Sequence, residues 1–257
     1  MRTRLALTIL QASTLLLFAQ QEIPSAESAF DEGNTLLREK KYCEALARYR
    51  TGLAAMPEDS GILYNAGMAA FGCKDFPTAL ELWNRVKTLD PDDWQVRAKL
   101  IQTYQALGTL PERDTERRAL FAMRKRGDNE ELSEQKSYCR ERLEAGGEKV
   151  MALEYFEMKG PRAVKYAFSI MSGTGDSEKY RISLGSYDLT NNVWHETTKP
   201  KPSPDVRLFH LDEYRGNNHA TYGMFAGEPS YEDTRALVVK ILEKKLRPAS
   251  ATVANPR

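Results

Sequence analysis

Residues 33–57, GNTLLREKKYCEALARYRTGLAAMP, are echoed by residues 67–91, GMAAFGCKDFPTALELWNRVKTLDP, one period of 34 residues later. Gly33 recurs as Gly67, Tyr42 as Phe76, Ala45-Leu46 as Ala79-Leu80, Tyr49 as Trp83 and Pro57 as Pro91. A fixed period of this length marks stacked helix-turn-helix units, none of which can bury its apolar face alone.

Working outward, the apolar spacing predicts helices over 26–39 and 42–55, then 60–72 and 77–89. Lys40-Lys41 and Cys73-Lys74-Asp75 supply the turns, and Pro77 sits at a helix start, where its missing N–H costs little. This pattern closely resembles the tetratricopeptide repeat over roughly residues 26–127. Gly33 and Gly67 take the small position of the helix crossing, Ala45 and Ala79 face them, and Tyr49 and Trp83 fill the large apolar slot. A third copy decays: Leu100, Tyr104 and Gly108 continue the first-helix pattern, but Arg113 and Arg117 stand where alanine and the aromatic stood. The expectation is two clear units plus one degenerate unit, capped by a linker helix over 128–147 that starts at Asp128 or Asn129 and stops at Gly146-Gly147.

The resemblance implies that the first helices line a groove meeting a protein or peptide partner. Its outward positions here are Asn34, Leu37, Arg38, Tyr64, Asn65, Met68, Phe71, Lys99 and Gln102, with Gln105 beyond. One branch of the family clamps a C-terminal carboxylate. Asn34, Asn65 and Lys99 match three of its five places, while Phe30 and Gln95 replace two lysines, so an apolar or extended segment is the expected ligand. The alternative is that Tyr64, Met68 and Phe71 pack internally. Antiparallel helices bring the start of the second helix, at Cys43, beside the end of the third, at Cys73, which makes these two a candidate disulfide; free buried thiols are the alternative. Cys139 is then left over, and an exposed thiol there would be able to join two chains.

Met1 to Ala19, with Arg2 and Arg4 ahead of an apolar stretch, reads as a secretory signal that is too short to span a bilayer, and export favours disulfides. Membrane contact is expected only if this segment stays uncleaved. The chain's 37 basic residues against 36 acidic ones, net charge +1, argue against a nucleic-acid partner. Arg113, Arg117, Arg118, Arg124, Lys125 and Arg126 form a local basic run, read as a solvated face relieved by neighbouring glutamates.

From Val150 the apolar spacing becomes alternating, which puts a domain boundary near Gly146-Gly147 and an α+β domain over 148–247. Strands are expected at 150–158, 164–170, 179–184, 186–190, 206–213 and 220–225. Turns are expected at 159–162, at the Gly173 to Asp176 stretch, at Asn191-Asn192 and at 216–218. A loop over 199–204, a helix over 231–246 and a flexible tail over 248–257 complete the chain. The fold class is a two-domain α+β protein, a helical solenoid followed by an antiparallel sheet with a C-terminal helix.

Only His195, His210 and His219 exist. A hairpin at 215–218 sets Tyr214 opposite His219 and makes Asp212–His219 a diagonal pair, with His210 farther along. No metal, cofactor or catalytic residue is expected. The reading is an exported binding or scaffold protein in the cell envelope. Its rivals are a hydrolase with a site around Asp212, His219 and Tyr222, and a purely structural array.

Overall fold

The computed structural model describes residues 25–158, 162–173, 177–187 and 208–243. The expected signal segment, the turns at 159–161, 174–176 and 191–192, the loop at 199–204, His195 and the tail lie outside these residues. The chain divides into two compact units, Met1–Leu89 and Asp90–Arg257.

The first unit is four helices, α1 (Ala26–Arg38), α2 (Tyr42–Ala55), α3 (Ser60–Gly72) and α4 (Phe76–Leu89), within a residue of the sequence boundaries. Ser25 and Asp59 cap α1 and α3 by accepting from Ser28 N (3.1 Å) and Ile62 N (2.8 Å). Both hairpins are held by a glycine against an aromatic. A Cβ on Gly33 would lie 2.6 Å from Tyr49, and one on Gly67 only 2.4 Å from Trp83. The two hairpins meet through Tyr42, whose ring occupies the space a Cβ on Gly72 would need, 2.4 Å away. A disulfide joins Cys43 and Cys73 beside that contact, with Cα atoms 5.1 Å apart.

The second unit holds the third helical hairpin, α5 (Trp94–Leu107) and α6 (Leu110–Arg126), a short α7 (Glu130–Glu134), six strands and α8 (Tyr231–Leu242). The strands β1 (Ser137–Ala145), β2 (Glu148–Tyr155), β3 (Arg162–Met171), β4 (Glu178–Tyr187), β5 (Leu208–Arg215) and β6 (Asn218–Ala226) form one antiparallel meander in chain order. Helix α8 covers one face, where Tyr231, Val238, Ile241 and Leu242 pack on Val150, Phe168, Ile170, Ile182, Leu184 and Leu211. Helices α5, α6 and α7 meet the β1–β2 end through Ile101, Leu120, Met123, Leu132, Tyr138 and Phe156.

Three expectations change. The linker helix over 128–147 is replaced by α7 and β1: Asn129 does cap, accepting from Leu132 N at 2.8 Å, but the helix stops after Glu134. Pairing with β2 overrides the helix propensity of the Glu- and Arg-rich stretch that follows. Gly146 and Gly147, with φ of 58° and 77°, form the hairpin turn between β1 and β2 rather than a domain boundary. Expected strands 179–184 and 186–190 begin as one strand, because β4 runs through Gly185 to Tyr187.

Candidate functional site

In the first unit Asn34 and Asn65 meet. Asn34 Oδ1 accepts from Tyr49 OH at 2.8 Å and from Asn65 Nδ2 at 2.9 Å, which links α1, α2 and α3 through one atom. Burial pushes the Tyr49 hydroxyl up to about 12 against the opposing charge of Arg38, so it stays a donor at neutral pH. Among the described residues, Asn34 Nδ2 and Asn65 Oδ1 are left as one donor and one acceptor, the complement of a peptide unit. Leu37, Tyr64 and Met68 are half-buried beside them and Arg38 is exposed. Phe71 differs from its expected role: its ring packs on Phe76 (5.2 Å) and Trp83 (5.9 Å), inside its own hairpin.

Lys99 and Gln102 belong to the second unit, on α5, and neither faces an open groove. Gln102 is 7% exposed and its Nε2 donates to the backbone oxygen of Cys139 in β1 at 2.9 Å. Lys99 is half-buried beside Cys139, and desolvation draws its amine downward. Burial raises the Cys139 thiol, with Arg142 and Lys99 pulling the other way. The surface that the resemblance assigned to a partner is therefore occupied, on α5, by an extended strand of the chain itself. The clamp positions are equally committed: Phe30 lies 6.1 Å from the Tyr49 ring, and Gln95 donates to Glu131 at 3.1 Å.

The basic run is not wholly solvated either. Arg113 is 2% exposed, donating to Asp114, to Gln105 Oε1 (2.6 Å) and to Glu232 of α8. Glu154, also 2% exposed, accepts from Arg117 Nε (2.6 Å), Arg140 Nη1 (2.6 Å) and Tyr138 OH (2.5 Å). Burial alone would raise the Glu154 carboxyl, but the Arg117 hydrogen bond and the Arg140 charge outweigh it and hold it low. Glu141 accepts from Tyr231 OH (2.6 Å) and Arg235 Nε (2.5 Å), and the Arg140 guanidinium lies 3.7 Å from the Tyr231 ring centroid.

A β-bulge makes this network possible. Cys139 pairs with Leu153 and Glu141 with Ala152, so Arg140 is the extra residue, and Arg140 and Glu141 both turn to the side covered by α8. Sequence alternation cannot show two adjacent charged residues facing one core; the only available signal was the abrupt run of charges at 140–142.

Tyr214 pairs with His219, and Asp212 with Thr221, as the hairpin predicted. His219 Nε2 lies 3.7 Å from Asp212 Oδ2, with the imidazole 55% exposed. Tyr222 does not join them. A second bulge turns it to the helix-covered face, where its hydroxyl donates to Glu213. The three residues of the hydrolase alternative are thus split between the two faces of the sheet. Among the described residues no cluster of His, Cys, Asp and Glu is arranged to hold a metal, and no helix is long and apolar enough to cross a membrane.

The helical segment is tetratricopeptide-like, covering about two fifths of the chain. Solved structures similar to it include the second tetratricopeptide domain of Spaghetti (RPAP3) bound to the HSP90 peptide SRMEEVD, at 26% identity, 41% of this chain, 97% of that chain and a TM-score of 0.36. Another is MamA, residues 41 to the end, from Desulfovibrio magneticus RS-1, at 19% identity, 46% of this chain, 64% of that one and a TM-score of 0.39. A third is the Sgt2 tetratricopeptide domain from Aspergillus fumigatus, at 16% identity, 44% and 76% coverage and a TM-score of 0.37. No family model and no curated protein matches the chain.

Proposed function

We propose that this is a non-enzymatic binding or scaffold protein whose first unit takes an extended segment of a partner protein. The observation that carries the reading is internal to the chain. Asn34, Met68 and Gln102 stand at the same repeat position, 34 residues apart. On α5 that position already holds an extended strand by donating to its backbone, through Gln102 and the Cys139 oxygen. On α1 the corresponding amide is Asn34, paired with Asn65, with Leu37, Tyr64 and Met68 as apolar neighbours. Side-chain amides aimed at a backbone select conformation, and the apolar neighbours select sequence. The signal-like residues Met1 to Ala19 and the Cys43–Cys73 bond support a place outside the reducing cytosol, with a partner in the cell envelope.

The test is a display selection of short extended peptides against the full chain, followed by calorimetric titration with the selected peptide. Asn65→Ala and Leu37→Ala should each weaken binding about tenfold, in the range of one lost hydrogen bond or apolar contact, and Asn65→Ala, which also removes the Asn65–Asn34 bond, should lower the melting temperature by roughly 2–8 °C with the chain still folded at the assay temperature. Binding that survives both substitutions, or a bound peptide that gains helical circular dichroism, would refute the assignment.

A further inference from the structure

Between α6 and the ends of β2 and β3 the second unit has a cavity of about 370 Å³, room for about a dozen waters at about 30 Å³ each. Strand β3 bulges where it borders this space: Val164 pairs with Gly185 and Tyr166 with Leu184, so Lys165 is the extra residue. Phe121 of α6, Met158, Val164 and the Tyr166 ring supply apolar wall, the setting in which small ligands are ordinarily buried.

The charged groups of the wall are already spent on one another. Arg117 Nε donates to Glu154 Oε1 at 2.6 Å and its Nη2 lies on the same oxygen, while Lys165 pairs with Glu228. Glu154 takes two further donors, from Tyr138 and Arg140, and has nothing left to offer a ligand. Glu157, the remaining carboxylate of the lining, is exposed to solvent.

Two donors are left over among the described residues. Arg117 Nη1 has no partner there, and neither has the hydroxyl of Tyr166, a residue only 7% exposed and yet part of the cavity wall. Burial and the Glu154 charge raise that hydroxyl, against the pull of Arg140 and Arg117, so it is protonated at neutral pH and able to donate. A buried hydroxyl without an acceptor costs free energy until something accepts from it.

We propose that this cavity binds a small uncharged ligand, an aromatic body carrying one carbonyl oxygen that accepts from Arg117 and Tyr166. Rings and a thioether in the wall suit an aromatic body. A charged group fits less well with either sign: a carboxylate would sit beside Glu154 with Arg117 already shared, and an ammonium would face Arg117 and Lys165. A carbonyl satisfies both donors without adding a charge to a wall in which each buried one is matched.

The test is a titration of the full chain, with carbon-13-labelled methionine methyls, against benzylacetone, followed at the Met158 methyl resonance. Hydrocinnamate and phenylpropylammonium, an anion and a cation of the same size, are titrated in parallel. The ketone should shift the Met158 signal saturably with a dissociation constant of about 0.1–1 mM, the range for so small a ligand. It should bind about fivefold or more tightly than either ion. Tyr166→Phe should weaken the ketone about fivefold, as one lost hydrogen bond does, with the melting temperature within about 2 °C because the hydroxyl bonds nothing in the protein. No saturable shift at about 10 mM ketone, well above that range, overturns the proposal. So does either ion binding as tightly as the ketone, or a ketone affinity indifferent to Tyr166→Phe. The comparison of the three ligands on the unsubstituted protein decides the matter even if Tyr166→Phe fails to fold.

Discussion

Lys40 and Lys74 should be better as glycines. Both adopt left-handed backbone, with φ of 62° and 65°, and stand one repeat period apart. The next position in the series is Gly108, with φ of 75°. All three close a helix in the same way. Lys40 N donates to Leu37 O and Lys41 N to Leu36 O; Lys74 N to Phe71 O and Asp75 N to Ala70 O; Gly108 N to Gln105 O and Thr109 N to Tyr104 O. A Cβ in this conformation costs about 1–2 kcal/mol. Glycine gives back about 0.5–1 kcal/mol through its larger unfolded-state entropy. The net gain is about 0.5–1 kcal/mol for each of Lys40→Gly and Lys74→Gly, both at exposed side chains. For a unit of this size that corresponds to roughly 2–8 °C per substitution. Differential scanning calorimetry of the two variants measures it, with Gly108→Lys as the converse, expected to lose a similar amount. If both lysine variants melt at or below the parent temperature while Gly108→Lys is tolerated, left-handed strain is not what these turns carry.

Gly67→Ala should cost about 1–3 kcal/mol in urea unfolding, because its Cβ would fall 2.4 Å from the Trp83 indole and overpack the crossing; pairing it with Trp83→Phe should recover part of the loss. Replacing both Cys43 and Cys73 by alanine reopens a loop spanning a sequence separation of 30, worth about 3.6 kcal/mol on the loop-entropy account. Reductant should lower the melting of the parent and leave the double variant unmoved. Glu154 has its carboxyl held below the unfolded value, so its contribution is complete above that value and drains away as pH falls through the folded one. Acid melts from pH 7 to about 3, a range bracketing an ordinary carboxylate, should therefore show a steeper fall for the parent than for Glu154→Gln. That variant should itself lose about 3–5 kcal/mol at neutral pH by leaving Arg117 and Arg140 short of charge.

The repeat was legible because its information is local. Glycine against aromatic, capping Ser25 and Asp59, and the 34-residue spacing are all properties of short stretches, and α1 to α6 follow them closely. What failed was long-range. Asn129 correctly started a helix, but nothing near Ser137 to Ala145 announces that β2 will pair with it through the Gly146-Gly147 turn. The bulge at Arg140 then hides a buried strand behind consecutive charged residues that read as helix surface. Lys99 and Gln102 were misplaced for the same reason: their assignment assumed an array continuing into solvent, while β1 covers them.

These misplacements have one physical origin. Arg113 and Arg117 look like decay when judged as members of a stack, since a repeat needs alanine and an aromatic there. They serve a different neighbour. A hairpin that packs on a sheet end must satisfy the carboxylate which that sheet buries, and Arg117 meets Glu154, while the buried Arg113 finds its own partner in the more exposed Glu232 of α8. Isolated, each of these charges would be costly inside; together with Arg140, Glu141, Tyr138, Tyr231 and Arg235 each has its partner. The third hairpin is therefore a repeat that has exchanged its stacking residues for a polar key to the sheet. Restoring alanine at Arg113 and tyrosine at Arg117 would remove a charge that the buried Glu154 requires and the tie from α6 to Glu232 of α8, and would weaken the second unit instead of lengthening the repeat array.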